Sequence, residues 1–262
     1  MRFALPLETR RRYYAVGVMT SAGTKPVTVV ISQPMFFPWV GLFEQIRLAD
    51  VYVHYLDVQF SKGSFVNRVQ IKVPGGFHWL TVPLKNLTLG QSILEVETDS
   101  AKDWRRSHLD FLTQAFRGAP HARDALDIME QVYGSPSHRL ADIAIDSMQR
   151  VLDYFGLIAS KRILRSPDLG IGGSGSERVL NIVKAQQGGV YVTGHGARNY
   201  LAHDEFEQAG IRVEYMDYCK TPYPQLHGEF NPYVSILDLI ANVGRAGRDY
   251  IHSGAIYWNE SI

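Results

Sequence analysis

Three groups of residues carry side chains or backbone suited to chemistry. The first is Asp57, Gln59, Lys62, Asn67 and Arg68, a dense polar group in one short stretch. There a carboxylate and a guanidinium could orient a polar ligand. The competing reading is that Asp57 and Arg68 merely pair with each other across a hairpin. The second group is a glycine run, in which Gly170, Gly172 and Gly175 satisfy G-x-G-x-x-G ahead of a helical pattern. Such a loop points backbone N–H groups and a helix N-terminus at an anion. Gly172, Gly173, Ser174, Gly175, Ser176 and Arg178 form the candidate phosphate site, with Arg165 beside it, and Ser174 followed by Glu177 has capping-box spacing. A flexible glycine connection with an ordinary cap is the alternative. The dinucleotide version of the motif expects an acidic residue about 20 positions on, at the end of the next strand. That strand, Val190 to Thr193, ends in Gly194 and His195 instead, which argues against a nicotinamide dinucleotide. His195, in the loop Gly194 to Asn199, is the third feature and the histidine best placed to meet a ligand.

These residues depend on the elements around them. The apolar run Val27 to Ile31 stops at Gln33 and Pro34, passes an aromatic loop with Phe36, Phe37, Pro38 and Trp39, and enters a helical pattern. A second apolar run, Val51 to Leu56, closes on Asp57. Strand, loop, helix, strand is the unit of a parallel sheet, and its first loop lies at the carboxyl end of a strand, where open α/β sheets bind ligands. Gln33 to Gly41 is therefore the expected ligand edge. Gly75-Gly76 between two alternating runs predicts an antiparallel hairpin. Helical spacing follows over Asp103 to Phe116, where His108 reads as a core histidine, and over Leu140 to Phe155, ended by Gly156. A strand at Ile163 and Leu164, the glycine loop, the strand Val190 to Thr193, a helix ending at Gly210 and the strand IRVEYMDY then repeat the α/β pattern. Ser235 and Asp238 have helix-start spacing before a short closing helix.

Composition sets the outer bounds. Lys and Arg number 27 against 26 Asp and Glu, so the net charge of +1 offers no electrostatic case for bulk nucleic-acid binding. The single cysteine, Cys219, excludes an intrachain disulfide and the usual structural zinc patterns. No metal site is expected, and no cofactor is indicated. No apolar run approaches the ~20 residues that span a bilayer. A soluble protein in a reducing, cytoplasmic compartment is the expectation. Residues 1–27 read as an N-terminal extension, 28–246 as one α/β domain and 247–262 as a C-terminal tail.

Over residues 28 to about 246 the chain resembles the WbqC-like protein family. The resemblance rests on Gln33-Pro34, Pro38-Trp39, Gly41, Asp57-Val58-Gln59-Phe60, Asn67-Arg68, Leu80-Thr81-Val82-Pro83, Asp168-Leu169-Gly170, Glu177-Arg178, Tyr223-Pro224-Gln225 and Asp238-Leu239. The chain departs from the family pattern at Pro167, Thr193 and His195. A fainter likeness joins the first loop to nucleotidyltransferases and class I aminoacyl-tRNA synthetases, whose H-x-G-H opens a helix. Here Trp39-Val40-Gly41-Leu42 keeps the glycine and neither histidine. The implied fold is α/β: a mostly parallel Rossmann-like (HUP-like) sheet with an antiparallel hairpin excursion and a small helical section.

The family resemblance implies a companion of bacterial surface-polysaccharide and O-antigen biosynthesis. The expected function is a transferase that acylates or aminoacylates the amino group of an amino-sugar nucleotide; the alternative is a non-catalytic nucleotide-sugar binding module. The expected partner is a nucleotide sugar or other small phosphorylated ligand. Aminolysis needs a proton acceptor and oxyanion stabilisation. Asp57 and His195 are the catalytic candidates. Gln33, Gln59, Asn67, Arg68, Tyr223 and Gln225 are candidates to hold substrate, and Phe37 or Trp39 to stack on a ring.

Overall fold

Strand after strand of this chain alternates apolar residues toward two different cores. The computed structural model describes residues 25–101 and 103–260; the expected N-terminal extension lies almost wholly outside them. β1 (Val27–Ser32) leads through the aromatic loop to α1 (Val40–Leu48) and β2 (Val51–His54). A long excursion follows. It holds the hairpin β3 (Arg68–Val73) and β4 (Gly76–Thr81), the short pair β5 (Leu84–Lys85) and β6 (Glu97–Thr98), and the helices α2 (Trp104–Ala115), α3 (Ala122–Tyr133) and α4 (Leu140–Phe155). The sheet then resumes with β7 (Arg162–Arg165), α5 (Gly175–Ala185), β8 (Gly188–Thr193), α6 (His203–Gln208) and β9 (Arg212–Asp217). α7 (Ile236–Val243) and β10 (Gly254–Tyr257) close the chain.

The main sheet has six strands in the order β10-β9-β8-β1-β2-β7. All neighbours pair in parallel except β10, which runs antiparallel to β9. Because side chains alternate across a sheet, Val30, Tyr52, Val192 and Met216 enter a core with α1, α2, α3, α4 and α7. Val29, Ile31, Val51, Val53, Tyr191 and Val213 enter the other, with α5 and α6. The result is an α/β three-layer arrangement with a mostly parallel sheet, a separate antiparallel hairpin and a helical section, as the sequence implies.

Strand order reverses between β1 and β8. From β1 the chain moves one way through β2 to β7, then returns to β8 on the other side of β1 and continues to β9. A crevice opens at such a switch point, at the carboxyl ends of the strands.

Three expectations need correction. α3 was not anticipated, although Ala125, Ile128, Met129 and Val132 form a buried stripe; its N-cap, His121, provides no side-chain cap that would announce a start. The capping box expected at Ser174 and Glu177 is not formed, since Ser174 makes no side-chain cap bond. The expected C-terminal tail contributes β10 to the sheet edge, a pairing set by β9 rather than by local pattern. At Ser235 the capping expectation holds, with its Oγ accepting from Leu237 N.

Candidate functional site

The loop after β1 is pinned from three sides, and this decides which of its aromatics can meet a ligand. Phe36 N donates to Phe65 O at 3.0 Å, Phe37 N donates to Ser147 Oγ at 3.0 Å, and Ser235 Oγ donates to Phe37 O at 2.9 Å. Held there with φ +42°, a strained value for a non-glycine residue, Phe37 buries its ring completely, as does Phe36. Phe37 is thus a core residue and not the ligand-stacking ring expected. Trp39 emerges instead. Its indole lies 4.8 Å from the Tyr218 ring and folds back over the first turn of α1. A Cβ on Gly41 would sit 2.2 Å from that indole, so only glycine admits this placement.

A cleft of about 480 Å³ opens beside Trp39 at the switch point. Its architecture follows a simple rule. β1, β2, β8 and β9 are parallel, and the first residue beyond each, Gln33, Tyr55, Gly194 and Tyr218, lines the same cleft. Ser32 and Thr193, the last residues of β1 and β8, form part of its floor with Gln45, whose Nε2 donates to Val192 O at 3.3 Å. Gly175, at the N-terminus of α5, and Tyr200 complete the walls used below. Burial raises the pKa of the Tyr55 and Tyr200 phenols, and burial with the Glu44 carboxylate pushes Tyr218 up to about 12. The three phenols therefore stay protonated near neutrality, each carrying an O–H that a ligand could accept from.

Asp57 stands at the edge of this region, fully engaged. Arg178 Nη2 and Ser166 Oγ both donate to its carboxylate in very short contacts, and Ser166 Oγ also accepts from Leu56 N at 3.0 Å. Burial raises the Asp57 pKa, but the bonds from Arg178 and Ser166 outweigh it and hold the group below its ordinary value. Such a carboxylate is a poor proton acceptor, so the expected base role gives way to a clamp. Arg178 is buried, donates from Nε to Ile171 O at 2.9 Å and lies 5.1 Å from the Tyr55 ring centroid. Its charge is spent on Asp57 and the loop rather than left for phosphate.

The glycine loop itself is presented to solvent. Gly172, Gly173, Ser174 and Gly175 are exposed, with positive φ at Gly173 and Gly175 that only glycine adopts without strain. Because Ser174 leaves the first turn of α5 without a side-chain cap, backbone N–H groups there face outward beside Gly175. Ser176 is used internally, its Oγ accepting from Ala202 N at 2.9 Å. His195 is exposed just beyond the cleft, 6.0 Å from the Tyr218 ring and stacked on Tyr215.

The remaining candidates lie elsewhere. Gln59, Asn67 and Arg68 line a second, larger cleft of about 860 Å³. Arg68 pairs with neither Asp57 nor any other carboxylate among the described residues; it packs 4.2 Å from the Trp79 ring and donates to Gly63 O. Tyr223 is buried and donates to Asp238 Oδ2 at 3.0 Å, and Gln225 accepts from Lys72 Nζ at 2.9 Å. Both are internal braces and line neither cleft. Sequence reasoning missed Tyr55, Tyr200, Tyr218 and Gln45; the signal for Tyr55 and Tyr218 is their position one residue past a strand. Among the described residues, no group of three or more His, Cys, Asp or Glu is placed to hold a metal, and no helix is long and apolar enough to cross a membrane.

Comparison with known proteins agrees with the resemblance seen in the residues. "Uncharacterized protein Rv1507c" of Mycobacterium tuberculosis is 33% identical over 226 residues, covering 85% of this chain and 96% of that protein. No solved structure matches. The WbqC-like protein family matches residues 33–250, a span that contains the second cleft, most of the first cleft's lining and strands β2, β7, β8 and β9 of the sheet, and the chain belongs to that family.

Proposed function

We propose that the switch-point cleft binds an amino-sugar nucleotide and that the protein transfers an acyl or aminoacyl group to its amino group, in bacterial surface-polysaccharide or related glycan synthesis. The supporting observation is the delivery of Gln33, Tyr55, Gly194 and Tyr218 from four parallel strands to one cleft beside the open N-terminus of α5. That N-terminus suits phosphate. Trp39 and the phenols of Tyr55, Tyr200 and Tyr218 suit a ring that carries hydroxyl groups. In the transfer, the sugar amine forms a bond to the acyl carbon, the donor's leaving group departs with the electron pair of the broken bond, and the amine proton passes to a base. With Asp57 clamped, His195 at the mouth is the residue available for that proton.

One observation favours a second reading. Among the described residues no carboxylate lines the cleft, so a nucleotide-sugar binding module without turnover fits the same walls. The two readings separate on incubation of the protein with a panel of amino-sugar nucleotides and activated acyl or aminoacyl donors, followed by mass measurement of the sugar. The transferase reading expects a product heavier by the acyl group, formed much more slowly by His195→Ala. Saturable binding with unchanged masses across the panel supports the module, and absence of binding rejects both.

A further inference from the structure

The second cleft adjoins the first back to back. Residues 58–60 run between them, with Ile93 N donating to Val58 O and Phe60 N donating to Gln91 O, each at 2.9 Å, and Gln59 bridging to Ser92. Val58 lines the switch-point cleft, and Gln59 and Phe60 line the second one.

The lining of the second cleft has a definite charge and a definite apolar side. Among the described residues, Lys62 and Arg68 are the only ionisable ones in its lining, and no carboxylate lines it. Lys62 is exposed and takes part in no salt bridge among the described residues. Arg68 spends one Nη2 bond on Gly63 O and rests on Trp79, while its Nε has no hydrogen-bond partner. A guanidinium carries five donors and gains most from an oxyanion. The same lining carries the apolar side chains of Val82, Pro83, Leu84, Leu87 and Leu89, the last 97% exposed, with Thr81 and Thr88 among them.

We propose that this second cleft binds a small anionic molecule with an apolar arm: a phosphate or carboxylate held by Lys62 and Arg68, and a chain laid along Leu84, Leu87 and Leu89. This is the chemistry of an activated acyl donor carrying a phosphorylated leaving group. Its role as donor rests on the transferase reading above; the binding itself does not. One segment of backbone would then divide the donor from the acceptor.

Each cleft carries its own tryptophan, Trp39 in the first and Trp79 behind Arg68 in the second, so fluorescence can tell them apart. Octyl phosphate, kept below its micelle-forming concentration, is titrated into the full-length protein. Saturable change in emission is expected in the unaltered protein and in Trp39→Phe, and is expected to vanish in Trp79→Phe. Lys62→Gln, an exposed change that leaves packing intact, and Arg68→Gln should each weaken binding about tenfold, and inorganic phosphate should bind about tenfold more weakly than octyl phosphate. No saturable change, a response lost in Trp39→Phe but kept in Trp79→Phe, or affinity unaffected by both charge changes would overturn the site. Equal affinity for inorganic and octyl phosphate would overturn the apolar arm. A negative transfer assay with intact octyl phosphate binding removes the donor role alone.

Discussion

Asp57 and Arg178, 121 residues apart in the chain, close on each other as an ion pair that ties the segment after β2 to the first turns of α5. Arg178 is nearly buried while Asp57 keeps about a third of its side-chain surface. Replacing this carboxylate with an amide removes the charge and one acceptor oxygen facing a buried guanidinium, a loss of about 1–3 kcal/mol. Asp57→Asn should therefore lower urea-denaturation stability by that amount, with Arg178→Met close behind, and the double variant should lose less than the two losses combined. The folded pKa of Asp57 is depressed, so its contribution is present above its ordinary value of 3.8 and is lost as pH falls through the folded value. Asp57→Asn should flatten that acid limb. Unchanged stability in both single variants would contradict the clamp.

Trp39 depends on Gly41 in the same direct way. Gly41→Ala places a methyl where the indole now lies, 2.2 Å from its nearest atom. Either the ring leaves the cleft or α1 shifts, and overpacking of this kind costs about 1–3 kcal/mol. Thermal denaturation should show the loss, and the emission of Trp39 should shift toward that of a more solvated indole.

Glu44 supplies a pH dependence of opposite sign. It is buried on α1 with Oε2 lacking a hydrogen-bond partner, and burial, only partly offset by Ser253 and Arg47, raises its pKa from 4.5 to about 7. The unfolded chain releases this proton first, so the folded protein loses stability as pH rises from about 4.5 to about 7 and then levels off, by at most ~3 kcal/mol. Glu44→Gln should remove this limb from a plot of stability against pH. A limb of the same size in the variant would assign it to another group.

Lys72 is 3% exposed, and its ammonium donates to Gln225 Oε1 at 2.9 Å, Gly228 O at 3.2 Å and Glu229 O. These bonds hold the irregular segment between β9 and α7. Lys72→Met keeps the aliphatic stem and removes the donors, and should cost about 2–3 kcal/mol. Hydrogen exchange should quicken over residues 225–231 more than in the sheet; uniform protection would place the anchor elsewhere.

The fold was largely legible because its signals are local. Val27 to Ile31, Val51 to Leu56 and Val190 to Thr193 are apolar runs bounded by breakers, and Gly75-Gly76 marks its hairpin with two residues. Leu140 to Phe155 shows a single stripe and a glycine stop. α3 and β10 were not legible, one starting without a capping side chain and the other existing through its neighbour strand.

The candidate site divides along the same line. By itself the sequence determined that the loops from Gln33 and from Gly194 would lie together at the carboxyl ends of parallel strands, because strand, loop, helix and strand can close in few ways. Tertiary structure alone decided which side chains reach the cleft. Phe37 and Trp39 are two residues apart and both aromatic, yet contacts from Ser147 and Ser235 bury one, and the missing side chain of Gly41 frees the other. Asp57 and Arg68 are close in sequence, but Asp57 turns to Arg178 and Arg68 to Trp79. Charge pairing is settled by what approaches through space, and that depends on sheet order, which no local stretch of this chain encodes.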